Sequence, residues 1–552
     1  VDRTTWVHPK AGDTHVVLDG AGLSLPALIR LADGTARPAV DPGALDRVHR
    51  ARETADRLAA TGRWYGRGTG VGAHRSVPVD PSDEAAHGLR LLRSHAGGAG
   101  RLLPARTVRA MLAVRANQLL AAGSGIHPSL VTALTDALRL GVHPAVNEYG
   151  GVGTGDLTAL AQTGLTLIGE RPWLTPGEGP DPAGERRAGG ALGGPAVASG
   201  ARRDHGAGAD GSAVVPAEGV DGGRHGQARA RGARPLAGAL PAPVTLRSGD
   251  ALALLSSNAL ALAQAALAGH EAELLLRATH AVAALSLAAV SGSPEAYAAP
   301  VHALRPYPGP ARAAAEVRRL LGPSEPPADA GSRIQDPYGF RAFPQVHGAA
   351  LEASDALLRI LETEINCPSE NPVLMPDGRL YHHGGFFAAH LALALDGLNL
   401  ALLKTAQLSA ARLAALSRSD LTGLPAFLAT GPAGSSGAMI LEYTANSALA
   451  ELRSSAAAPA SAGHAVLSHG LEEAAGFAGQ AARQTERATA AYATVVACEL
   501  VAAVRASRLR PVPPRVPAFT LAADVLPSGT EDRPLTGDIG AATELLHHLA
   551  EL

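Results

Sequence analysis

Gly150-Gly151-Val152-Gly153-Thr154-Gly155-Asp156-Leu157 is the stretch from which the rest of this chain is read. Four glycines around one hydroxyl residue give a backbone that can fold tightly on itself. The aspartate that follows is placed to cap a helix whose apolar positions Leu157, Leu160, Ala161, Leu165 and Ile168 recur at helical spacing. The loop would then lie over a positive helix terminus, which raises electron demand at residue 154.

Two readings of the loop stand side by side. One is an ordinary capped turn. In the other, the Gly155 amide attacks the Gly153 carbonyl and water is lost, and a second dehydration at Thr154 leaves an electrophilic exocyclic alkene on an imidazolone.

Downstream, residues 248–509 are rich in Ala and Leu at helical spacing, with long segments at 252–276, 346–363, 388–417 and 438–455. Strand signals are nearly absent there, so the expected class is mostly α, with extended helices packed side by side. The Pro-rich run from Arg510 ends the bundle, and the tail, 513–552, reads as surface.

Upstream, a short β-like piece at 15–18 precedes a helical run at 42–61. Residues 84–140 read as two or three helices broken at Gly97-Gly98 and Gly123-Ser124-Gly125. Four segments are therefore expected: 1–169, 170–247, 248–512 and 513–552. Within the second, residues 176–243 are Gly, Ala, Arg and Pro with almost no large apolar side chains, which predicts a disordered insertion or a shifted reading frame.

Composition narrows the function. The 552 residues are 46% hydrophobic and 18% charged, enough for a large core, and the net charge is -2. That balance offers no general attraction for nucleic acid or an anionic membrane, and neither is an expected partner. Cys367 and Cys498 stand far apart without metal-ligand spacing, which suits a reducing cytoplasm. No basic-then-apolar leader and no uninterrupted apolar run of membrane-spanning length is read, so the expectation is a cytoplasmic protein.

Three further motifs carry candidate chemistry. The first is Tyr65-Gly66-Arg67-Gly68-Thr69-Gly70-Val71-Gly72; its glycines lack the strand-turn-helix setting of a dinucleotide site. The second is Leu91-Leu92-Arg93-Ser94-His95-Ala96-Gly97-Gly98. The third is Gln335-Asp336-Pro337-Tyr338-Gly339-Phe340-Arg341, followed by Pro344-Gln345-Val346-His347-Gly348. Tyr338 and Arg341 fall three apart and share a face if this segment is helical; a guanidinium fork there pairs a carboxylate in two hydrogen bonds.

Together these segments resemble the aromatic amino-acid ammonia-lyases, in particular the histidine-specific members. Their Gly-Ser-Val-Gly-Ala-Ser-Gly-Asp-Leu segment builds a methylidene-imidazolone from Ala-Ser-Gly. Their Tyr-Gly-x-Asn-Thr-Gly-x-Gly loop carries a catalytic tyrosine, and Gln-Asp-x-Tyr-x-x-Arg-x-x-Pro-Gln-x-x-Gly is a family signature. The resemblance covers nearly the whole chain outside 170–247. It implies a long-helix bundle of the lyase and fumarase type, and a homotetramer with sites shared between subunits.

By position, the resemblance makes Tyr65 the base, which requires its phenol to be lowered from about 10 by a dipolar site. Tyr338 joins Tyr65, Gly153, Thr154 and Gly155 as catalytic candidates. His95, Ser256, Gln335, Arg341, Phe386 and Glu472 become contacts for an amino-acid-like substrate, with Arg341 on its carboxylate and Glu472 on its nitrogen. Phe386, rather than Phe387, aligns with a phenylalanine beside the prosthetic ring. The neighbouring His382-His383 pair lacks a second ligand cluster, so no metal is expected.

The departures are specific. Gly153-Thr154-Gly155 stands for Ala-Ser-Gly, so a ring formed here would bear an ethylidene group. Gly68 stands for asparagine. Ser256-Ser257-Asn258 stands for Asn-Gly-Thr, so Ser256 replaces a supporting asparagine, for which Asn258 substitutes only if the helix start shifts. Three functions follow from these residues: an ammonia-lyase or aminomutase, a relative that never forms the ring and catalyses another elimination, isomerisation or cyclisation, or a non-catalytic pocket protein.

Overall fold

The computed structural model describes residues 14–62, 64–175, 240–322 and 333–552. Most of the predicted insertion at 176–243 lies outside these residues. The edges of the 170–247 segment are built into the fold. Trp173–Leu174 pairs antiparallel with His143–Pro144, and the Val244 amide donates to the Leu167 carbonyl at 2.9 Å.

The N-terminal part opens with β1 (His15–Leu18) and β2 (Arg37–Val40), paired in parallel around α1 (Leu25–Asp33). Then come α2 (Pro42–Thr61), α3 (Glu84–His95), α4 (Ala105–Leu120), α5 (Pro128–Leu140) and α6 (Leu157–Leu167). The run at 84–140 thus resolves into three helices.

The central part holds α7 (Asp250–Leu255), α8 (Ala259–Ala289), α9 (Ala299–Ala303), α10 (Pro308–Leu321), α11 (Tyr338–Arg341) and α12 (Phe343–Glu364). It continues through α13 (Ala389–Leu416), α14 (Ser419–Thr422), α15 (Ile440–Ala457) and α16 (Ala478–Leu509).

Helices α8, α13 and α16 form the middle of the bundle. They are long because Ala and Leu have high helix propensity and small Ala side chains let neighbouring helices approach closely. All three start at one end of the molecule. Near the other end they meet at Glu499 of α16, which accepts from Ser286 of α8 at 2.6 Å and from Ser409 and Arg412 of α13. Helix α12 runs the opposite way, its last turn returning to α4, where Gln118 Nε2 donates to the Glu364 carbonyl at 3.0 Å.

Three expectations are corrected. The apolar run 252–276 is two helices, broken at Ser256-Ser257-Asn258, whose side chains bond distant partners: Ser256 Oγ accepts from the Asn371 amide, Ser257 Oγ donates to Gln118 and Asn258 Oδ1 accepts from the Gly155 amide. The tail is not merely surface: Pro517–Val525 and Thr536–Leu549 are helices, and Ala542, Leu545, Leu546 and Leu549 are buried at helical spacing. Three helical segments, 250–289, 389–416 and 478–509, are long and apolar enough to cross a membrane, contrary to the reading of the runs. They bury 83%, 50% and 83% of their apolar windows inside the protein, which accounts for the apolar composition as core.

Candidate functional site

The Gly153-Thr154-Gly155 loop sits where four helices begin. It leads directly into α6. The Phe477 amide, at the start of α16, donates to the Val152 carbonyl at 2.8 Å, and the Ala388 amide, at the start of α13, reaches the Gly153 carbonyl at 3.5 Å. At the start of α8, Asn258 Oδ1 accepts from the Gly155 amide at 3.0 Å. Each helix start carries roughly half a positive charge, so the loop lies in a field that withdraws electron density.

Backbone geometry explains the glycines. Gly153 and Gly155 have φ of +86° and +112°, and a Cβ on Gly153 would stand 2.4 Å from the Phe477 nitrogen. An alanine at position 153 therefore does not fit this packing.

Asp156 behaves differently from the sequence reading. Its side chain makes no capping bond to α6; it reaches the neighbouring α8, where Oδ2 accepts from the Ala261 amide at 2.8 Å. The break at Ser256–Asn258 exposes that helix terminus, and Asp156 is buried against it. Burial pushes the Asp156 carboxyl up to about 6 despite the amides of Ala261 and Leu260 that favour its charged form.

Ser256 also has another partner. Its Oγ accepts from the Asn371 amide at 2.9 Å, fixing the 369–372 segment, while Asn258 takes the contact to the loop. The second helix starts at Ala259, directly after Asn258.

Tyr65 and Glu472 lie close enough for the glutamate charge to act on the phenol. The Gly72 amide donates to Tyr65 Oη at 2.8 Å, and Ala73 donates to Ser468 Oγ at 2.9 Å, tying the Tyr65 loop to the segment that carries Glu472. The Tyr65 phenol is not lowered. Burial pushes it above its ordinary value and the Glu472 charge adds to the rise, with the Gly72 amide and Arg75 opposing.

Gly68 has φ of +71°, and its carbonyl accepts from the Val79 amide, so the glycine serves the turn of the loop. Arg67 anchors that turn by bonding Asp56 at 3.1 Å and the Gly125 carbonyl at 3.0 Å.

His95 ends α3, with Nδ1 within hydrogen-bond distance of the Leu91 carbonyl, 2.9 Å. The Phe386 carbonyl accepts from Asn258 Nδ2, and its ring lies 6.5 Å from that of His383. The Phe387 ring is the one beside Gly476, next to the loop's clamp.

Gln335, Tyr338 and Arg341 are elsewhere. Arg412 Nη1 donates to the Gly339 carbonyl at 3.1 Å, which seats α11 against the far part of α13. Twenty-three residues separate Ala389 from Arg412 along that helix, about 35 Å at 1.5 Å per residue. Asp336, next to Gln335, accepts from Ser293 just past the far end of α8. One chain thus carries Tyr65, the glycine loop, Asn258 and Glu472 at one end and the Arg341 motif at the other.

The distant motif is open to solvent at Tyr338, while Asp336 and Phe340 are buried. Tyr338 is 68% exposed, and the Arg341 guanidinium lies 4.1 Å over its ring. Arg341 Nε is buried without a hydrogen-bond partner.

The family model for aromatic amino acid lyases matches residues 23–524. The chain belongs to the aromatic amino acid lyase family. Histidine ammonia-lyase of Symbiobacterium thermophilum is 33% identical over 537 residues, covering 96% of each chain. Among solved structures, histidine ammonia-lyase of Trypanosoma cruzi superposes with a TM-score of 0.79 at 27% identity, over 97% of this chain and 93% of that one. The ergothioneine-degrading ergothionase of Treponema denticola gives 0.81 at 25% identity, over 98% and 100%. The family is one of carbon–nitrogen lyases, and the expected bundle is the observed one.

Sequence reasoning gave little weight to two parts of this lyase's site. Asn258 was legible as the last residue of the polar break in an otherwise apolar run. The backbone clamps from Ala388 and Phe477 leave no side-chain signature, because any residue supplies the same amide.

Proposed function

We propose that this lyase eliminates ammonia from histidine or another aromatic amino acid, giving an α,β-unsaturated acid. The observation that carries the proposal is the Gly153-Thr154-Gly155 loop at four helix starts.

The residues present fit an autocatalytic imidazolone. Two glycines with left-handed backbone flank a residue with a β-hydroxyl, and the Gly155 nitrogen and Gly153 carbonyl each have a hydrogen-bonding neighbour. The group would supply an electrophile for the substrate, with an extra methyl contributed by Thr154.

The chain's own residues supply the rest. Tyr65 takes the β-proton, Glu472 meets the departing amine, and His95 and the Phe386-Phe387 turn border the side chain. Arg341 pairs the carboxylate, backed by Tyr338 and Gln335. Because Arg341 lies far from Tyr65 within a chain, the arginine comes from a neighbouring copy, which supports the expected homotetramer. Cys367 and Cys498 are free thiols, in keeping with a cytoplasmic setting.

One observation favours a second reading. The loop from Gly150 to Leu157 has eight residues, one fewer than the nine of the segment it resembles. In that reading the peptide stays open and the same pocket serves a different elimination, isomerisation or cyclisation.

Peptide mass mapping across 150–157 separates the two: the lyase reading expects a loss of about 36 Da, two waters, with ammonia release in an amino-acid screen. An unmodified peptide overturns it.

A further inference from the structure

We propose that Asn258 prepares the Gly155 amide for ring closure, an inference that rests on the imidazolone reading above. The Gly155 N–H donates to Asn258 Oδ1 at 3.0 Å, and Asn258 is 5% exposed. Its Nδ2 donates to the Phe386 carbonyl, so the amide group is held from both ends.

Although Asn258 flanks the start of α8, its side chain makes no capping bond to that helix. Asp156 does the capping, through Ala261, and leaves Asn258 to serve the loop. The Asp156 amide donates to the Ser257 carbonyl at 2.7 Å, so the residues on either side of this contact are also joined. The carboxamide stands where the resembled segment has threonine, and it accompanies the exchange of serine for Thr154.

Closure joins the Gly155 nitrogen to the Gly153 carbonyl carbon while the carbonyl π pair moves to oxygen. The nitrogen gains positive character and its proton becomes more acidic. An acceptor already bonded to that N–H stabilises the developing charge. The nitrogen gives up this proton and the oxygen takes one.

The hydroxyl so formed then leaves as water together with the Thr154 N–H proton, leaving a C=N bond. The Thr154 β-hydroxyl and α-hydrogen leave as the second water. Two waters are lost and nothing is oxidised or reduced.

The test compares the full-length wild-type protein with Asn258→Ala and Asn258→Asp, each purified and mapped by peptide mass across 150–157. Aspartate keeps an oxygen acceptor against Gly155, and alanine removes it. The modified fraction is expected to fall at least about tenfold in Asn258→Ala at unchanged oligomer size and thermal midpoint, and to fall less in Asn258→Asp, which keeps the acceptor but loses the bond to the Phe386 carbonyl.

Full modification of Asn258→Ala overturns the inference alone. Should that variant fail to fold, folded but unmodified Asn258→Asp overturns it instead. An unmodified wild-type peptide overturns the imidazolone reading together with the inference.

Discussion

Tyr65 and Arg341 belong to opposite ends of one helical bundle. Tyr65 lies beside Glu472 near the starts of α8, α13 and α16, whereas the turn that bears Arg341 is bonded to Arg412, about 35 Å along α13. A substrate the size of an amino acid cannot touch both within one chain. On the proposed roles of base and carboxylate anchor, the two residues meet only if another copy of the protein supplies one of them.

Removing the Tyr65 hydroxyl should abolish turnover with the fold retained. Tyr65→Phe leaves only the Gly72 amide without its acceptor. The expected fall in kcat is about 10²- to 10⁴-fold, as for loss of a general base. Turnover at the wild-type rate removes Tyr65 from that role.

The acid side of the pH–activity profile should report the Tyr65 phenol. Its ionisation is pushed above the ordinary value by burial and by the Glu472 charge, so activity should rise with pH through neutrality. Removing that negative charge favours the phenolate, and Glu472→Gln should move the limb to lower pH. A limb that stays in place separates the two residues.

Acid should weaken the core through His280 and His347. Burial pushes His280 down to about 4 and His347 well below its ordinary value, so both are neutral in the folded protein. In the unfolded chain histidine titrates near 6.5. Above that pH neither state takes up these protons. As pH falls towards 4 the unfolded chain binds protons that the native His280 refuses, and stability is lost over that window.

The loss attributable to His280 is about 3 kcal/mol. Urea midpoints at pH 7 and pH 5 should differ, and His280→Leu should narrow the difference. An unchanged gap contradicts the assignment.

The buried Arg412–Glu499 pair should matter to binding as well as stability. Both side chains are fully buried, and Arg412 also holds the Gly339 carbonyl. Glu499→Ala leaves an uncompensated guanidinium, costing about 3–5 kcal/mol. The Arg341 turn should loosen with it, raising KM. A variant as stable as wild type refutes the coupling.

The apolar periodicity of 42–61 and 346–363 was legible because helix burial repeats every three to four residues, and the helices found are Pro42–Thr61 and Phe343–Glu364. The candidate residues were legible through motif and resemblance. Their division between two ends was not, since Arg341 and Tyr65 are related only through the direction of helices that sequence leaves unspecified. Asp156 shows the same limit: a capping residue advertises a helix start, and the start it serves lies across space, at Ala261, rather than next in the chain. The Tyr65 phenol was misjudged because burial and the charge of Glu472 outweigh a single amide.

Subunit complementation tests the proposal that base and carboxylate anchor come from different copies. Tyr65→Phe and Arg341→Ala are each expected to be inactive, or weakened about tenfold to a hundredfold in affinity for the arginine variant. Equal mixing with exchange of subunits should restore about a quarter of wild-type sites, because each site then draws one intact residue from each of two chains. Activity that never exceeds the average of the two separate variants would show that each site takes both residues from one chain.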